Sequence, residues 1–140
     1  MNNINFGKVL IGGLLAGLVL NVGEFLLNDV ILGKQMREFF ARYGIAEPGG
    51  SFMIVAVTLT FAVGILLVFV YALIRARLGP GVKTAIVAAL IMWFGIYVYT
   101  GAINGFLFGI PLNVMLIAFV WGLIEYVLGA IAGAWVYTEV

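Results

Sequence analysis

Three prolines divide this chain, and almost everything between them is apolar. Pro48, Pro80 and Pro111 are the only prolines in the 140 residues. Proline breaks a helix and glycine favours turns. Ala46-Glu47-Pro48-Gly49-Gly50, Leu78-Gly79-Pro80-Gly81 and Gly109-Ile110-Pro111-Leu112-Asn113 therefore read as three loops. The runs they bound extend over Lys8 to Leu32, Ser51 to Arg75, Lys83 to Phe108 and Asn113 to Tyr137. Each has about 25 residues, enough to cross roughly 30 Å of hydrocarbon at about 1.5 Å per residue. In lipid the backbone must satisfy its own hydrogen bonds, which leaves helices or closed barrels. A barrel needs alternating ten-residue segments, and the sequence has none. The expected fold is an all-α membrane protein: a four-transmembrane-helix bundle forming a single integral membrane domain over residues 1–140.

Composition agrees and excludes several kinds of chemistry. Hydrophobic residues make up 65% of the chain and charged residues 9%, with mean hydropathy +1.23. A soluble domain carries about 25% charged residues. There is no cysteine and no histidine, which excludes disulfides, thiol catalysis, His-ligated haem and most zinc sites. The commonest general base is missing too. No metal or cofactor is expected. A net charge of +1 offers no basic footprint for nucleic acid. The first apolar run is too long for a signal-peptide core and lacks a clear small-residue cleavage site, so it is expected to remain as a span.

Lys8, Arg75, Arg77 and Lys83 fall on one side of this layout, and Lys34, Arg37 and Arg42 on the other. Counting Lys and Arg alone, four against three places both termini in the cytoplasm. In the segment Lys34 to Tyr43, Met36, Phe39, Phe40 and Tyr43 follow an i, i+3, i+4, i+7 pattern with charged residues between them. The pattern predicts a short amphipathic interfacial helix over 34–43, either a connector on the headgroups or a lid or docking surface.

Polar residues recur within the spans at helical spacing. Gly13, Gly17, Asn21, Glu24 and Asn28 share one face of the first span, and Gly122, Glu125, Gly129 and Gly133 one face of the fourth. Gly13/Gly17 and Gly129/Gly133 are small-xxx-small ridges. Such ridges let helix backbones approach closely, inside the bundle or between protomers. The carboxylates need another explanation, because a charge at mid-bilayer costs at least about 2.5–3.5 kcal/mol and usually marks function. Counting rise from the end that carries Lys8 and Arg75, Glu125 should lie about 18 Å up, Asn21 about 20 Å, Tyr97 about 21 Å, Thr60 about 22 Å and Glu24 about 24 Å. All four helices thus contribute to one buried polar layer around Glu24 and Glu125. No Lys or Arg is expected at the depth of Glu125. That leaves it protonated, satisfied by donors such as Asn21, Tyr97 or Trp121, or holding a cation; Glu24 could reach Lys34 or Arg37. The alternative is that both glutamates are hydrogen-bonded glue between helices. On the third span Trp93, Tyr97, Thr100 and Asn104 form a polar-aromatic face, explained by core packing or by a pocket for a flat or cationic ligand.

Asn21-Val22-Gly23-Glu24-Phe25-Leu26-Leu27-Asn28, Trp121-Gly122-Leu123-Ile124-Glu125 and Gly133-Ala134-Trp135-Val136-Tyr137 resemble small uncharacterised bacterial four-helix integral membrane proteins. The resemblance implies a bacterial inner (plasma) membrane location and carries no activity. The four short spans, the glutamate in the first, the tryptophan in an aromatic third and the glycine-rich fourth also look like small multidrug resistance transporters. That likeness implies that Glu24 is a coupling carboxylate and Trp93 a gate or ligand contact. Glu125 and the amphipathic segment have no counterpart there.

Two readings of function follow. In one, the chain is a proton- or cation-coupled transporter or small-ligand-binding protein, a homodimer through a glycine ridge. Glu24 and Glu125 exchange protons or bind a cationic solute, oriented by Asn21, Thr60 and Tyr97, with Trp93 and Trp121 nearby. In the other it is a non-catalytic accessory subunit of a larger membrane complex. An enzyme acting on a lipid is the least supported of the classes, since two carboxylates would be its only acid and base.

Overall fold

The computed structural model describes residues 3–139, and helices are the only regular secondary structure among them. Met1, Asn2 and Val140, the extreme ends of the expected domain, lie outside the described residues. Helix α1 covers Phe6–Ile31, α2 Gly33–Tyr43, α3 Gly50–Leu78, α4 Val82–Phe108 and α5 Leu112–Val136. Four of them, α1, α3, α4 and α5, are long and apolar enough to cross a membrane. The short α2 is the amphipathic segment, one residue longer than its charge pattern suggests.

The ends follow local chemistry. The side chain of Asn5 accepts from the backbone N–H of Lys8 at 3.1 Å and caps α1. Gly44 and Gly109 close α2 and α4 in the left-handed conformation, at φ 63° and 65°, which glycine adopts without steric cost. The tight turn between α3 and α4 is tied down by side chains. Tyr71 Oη accepts from Gly81 N at 3.2 Å, and Thr84 Oγ1 donates to the Gly79 carbonyl at 2.6 Å.

Around the bundle, α1 packs on α3 and α5, and α4 on α5 and α3, which sets α1 and α4 on a diagonal. The glycine ridges determine how closely these helices approach. A methyl on Gly64 of α3 would sit 2.6 Å from the Gly13 carbonyl oxygen, and one on Gly17 would sit 2.9 Å from Phe61 Cα. At the α1–α5 contact, a methyl on Gly12 would sit 2.7 Å from the Gly133 carbonyl oxygen. Gly13, Gly17 and Gly133 are thus used in backbone contact within the bundle, while Gly129 meets Leu20 at an ordinary 3.4 Å. Both ridges face inward, so a homodimer would have to form through some other surface.

Packing is uneven along the bundle axis. Val9, Ala16, Leu20, Leu67, Val68, Tyr71, Ala85, Ala88, Ala89 and Ala130 form a dense core toward the end that carries Lys8, Arg75 and Lys83. There Arg75 donates to the Tyr137 carbonyl at 3.2 Å, stacks over the Tyr137 ring and pairs with Glu139 at 3.6 Å. Toward the α2 end the helices separate: the buried residues of α3 all lie from Gly64 onward. Helix α2 crosses this open end. The Tyr43 hydroxyl donates to the Phe108 carbonyl at the end of α4, at 2.5 Å, and the rings of Phe39, Tyr43 and Phe108 pack edge to face or tilted.

Candidate carboxylate site

Two of the spans contain one wide, π-type turn each, Leu26–Ile31 in α1 and Phe94–Tyr99 in α4. Such turns insert a residue into the helix and change which side chains share a face. Glu24 lies just before the first of these turns and Tyr97 lies inside the second. The two residues meet across the α1–α4 diagonal.

Tyr97 is the centre of the site. Its hydroxyl is 2.5 Å from Glu24 Oε1 and 3.1 Å from Glu125 Oε1. The ring is held from two sides: it packs edge-on against Tyr126 with centroids 5.7 Å apart, and it fills the space left by Gly122, where a methyl would come within 2.7 Å of ring atoms. On Glu24 the other oxygen, Oε2, accepts from Asn28 Nδ2 at 3.0 Å. Glu125 is 4% exposed, and its Oε2 has no hydrogen-bond partner. That oxygen presses on Gly23 of α1, where any side chain would collide with it. The indole of Trp121 holds the same peptide, donating to the Gly23 carbonyl at 3.0 Å.

Neither carboxyl has an ion-pair partner among the described residues; Lys34, expected within reach of Glu24, pairs instead with the exposed Glu38 at 3.9 Å. Among those residues no group of three or more His, Cys, Asp or Glu could hold a metal ion. Two cavities border Glu24. One, of about 500 Å³, lies between α1 and α3 under α2 and includes Asn21, Thr60, Arg37 and Phe40 in its wall. The other, of about 350 Å³, lies between α1, α4 and α5 and includes Tyr97, Thr100, Asn104 and Met115. Asn28 of α1 and Met36 of α2 also line both.

The expected polar layer is thus divided. Glu24, Glu125 and Tyr97 come into direct contact. Asn21 and Thr60 share the larger cavity with Glu24 but bond to main chain: Asn21 to the Gly17 and Val57 carbonyls at 2.9 and 3.4 Å, Thr60 to Ala56 at 2.8 Å. Trp121 supports Gly23 rather than touching a cavity. Trp93 donates to the Phe119 carbonyl at 2.8 Å, tying α4 to α5, and lines neither cavity. The wide turn that begins at Phe94 takes Trp93 off the line of Tyr97, which a regular spacing of four would have kept. Sequence reasoning missed two contributors, Gly23 and the bonding role of Asn28. The position of Asn28 four residues after Glu24 was the available signal.

No family model matches the chain, and neither a curated protein nor a solved structure does.

Proposed function

We propose that this chain is a proton- or cation-coupled transporter or small-ligand-binding protein of the bacterial inner membrane, with Glu24 as its ligand-facing group and both termini cytoplasmic. The observation that carries this reading is the position of Glu24. It lines both cavities at the open end of the bundle and is linked through Tyr97 to a second, buried carboxyl. Ionisable groups are costly in lipid, and where they occur they face an interior or a cavity and mark ion or substrate pathways. Helix glue alone needs the Tyr97 bridge but gives no reason for a carboxylate to line two cavities. Asn21 and Thr60 add polar groups to the larger cavity, and Phe25, Phe40 and Phe52 supply apolar surface for an organic ligand.

The test is proton flux into proteoliposomes under an imposed membrane potential, followed with a trapped pH-sensitive dye. Wild-type protein should carry protons well above empty vesicles, and Glu24→Gln and Glu125→Gln should lower that flux at least tenfold while remaining folded. Equal flux in wild type and both variants, or recovery only in fixed ratio with larger subunits, overturns the reading. The second result would make the protein an accessory subunit.

A further inference from the structure

Three oxygen atoms in a row have to be supplied with hydrogens. Tyr97 has one phenolic hydrogen and two carboxyl neighbours, and a hydrogen can be donated well to only one of them. Glu24 has the features of the ionised partner: Oε1 receives the phenolic hydrogen, and Oε2 receives an amide hydrogen from Asn28. An ionised carboxylate accepts and does not donate. Glu125 has the features of the acid. It is buried, one oxygen has no hydrogen-bond partner, and the other lies 3.1 Å from a hydroxyl whose hydrogen is already committed. That last contact is a hydrogen bond only if the hydrogen belongs to Glu125. The other titratable group that touches the cluster is Tyr126 of α5, whose ring meets that of Tyr97; Asp29, Arg37 and Glu47 share the larger cavity with Glu24, and α3 contributes none to the hydrogen-bonded cluster.

We propose that Glu125, Tyr97 and Glu24 hold one proton beyond the tyrosine's own, and that its passage through Tyr97 moves a negative charge between the cavities and the closed interior. In the step, the proton on Glu125 Oε1 moves to Tyr97 Oη as the phenolic proton moves from Oη to Glu24 Oε1. One O–H bond breaks and one forms at the phenol, Glu24 becomes neutral, Glu125 becomes the carboxylate, and no proton is gained or lost overall. Glu24 borders both cavities and Glu125 borders neither. The step therefore switches off the Glu24 charge, the one linked to the buried acid, without a proton crossing to water. In this conformation the proton stops at Glu125, because the bundle beyond it is the packed core of Ala16, Leu20, Leu67 and Ala130, so net proton flux requires a second conformation in which that side opens. The use of this switch in transport rests on the function proposed above; the shared proton itself does not.

Infrared spectroscopy of protein in lipid vesicles at neutral pH separates the two. Wild-type protein labelled with ¹³C-glutamate should show the carbonyl stretch of one protonated glutamic acid. Glu125→Gln should remove that band. Tyr97→Phe should shift it, because the acid loses its acceptor, and should lower proton flux at least tenfold with both carboxyls still in place. Absence of the band in labelled wild type, its persistence unchanged in Glu125→Gln, or an unshifted band in Tyr97→Phe overturns the shared proton. A wild-type protein that shows the band and carries no protons leaves the shared proton standing and overturns the transport reading instead.

Discussion

Tyr97→Phe removes two hydrogen bonds with little change in shape. Removing the hydroxyl keeps the ring against Tyr126 and Gly122 but leaves Glu125 without a partner and Glu24 with Asn28 alone. An unsatisfied buried polar group costs about 1–3 kcal/mol. Tyr97→Phe is therefore expected to lower stability by roughly that amount, read from thermal or denaturant unfolding in mild detergent. The double variant Tyr97→Phe/Glu125→Gln should lose less than the sum of the two single losses, because the contact between the hydroxyl and the carboxyl can be lost only once. Additive losses would show that the two groups do not interact. The residue-level reading of the sequence found Glu24, Glu125 and Tyr97 because depth along a helix follows from counting residues. Counting alone does not give the direction in which a side chain points. Thr60 and Asn21 lie at the right depth, yet their side chains bond to their own helices or to a neighbouring carbonyl.

The spans themselves were legible because prolines and glycines mark their ends and lipid leaves few alternatives to a helix. What was hidden within them is the wide turn in α1 and in α4, since no residue type announces an inserted position. The lid role of α2 was one of the alternatives left open by its charge pattern, and Met36 lining both cavities favours it. Glycine spacing also does not say which of the ridge positions are tight. The structure separates them: Gly64 meets the backbone of Gly13 and Gly17, whereas Gly129 has ordinary contact distances. Backbone cannot move aside as a side-chain tip can, and overpacking costs typically about 1–3 kcal/mol. Gly64→Ala should therefore destabilise the bundle by about that amount or more, while Gly129→Ala should leave its unfolding transition nearly unchanged. Side-by-side unfolding of the two variants checks this. Equal losses would mean that the α1–α3 crossing is no tighter than the α1–α5 one.

At the scale of the whole molecule, one end is closed and the other open, and the charges differ in the same way. Lys8, Arg75, Arg77 and Lys83 surround the packed end, whereas α2 and both cavities occupy the opposite end with Asp29, Glu38 and Glu47 among its charges. Positively charged loops are retained in the cytoplasm, so the cavities should open toward the outer side. The rule sets four cations, Lys8, Arg75, Arg77 and Lys83, against three, Lys34, Arg37 and Arg42. The absence of native cysteine makes the question directly answerable, because any introduced thiol is the only one to label. Gln35→Cys on α2 and Ala76→Cys between the two arginines are both at exposed positions. A membrane-impermeant maleimide applied to intact cells should label the first and reach the second only after the membrane is opened. The reverse pattern would put Glu24 on the cytoplasmic side, and the charge switch would then act on ligands leaving the cell rather than on those arriving.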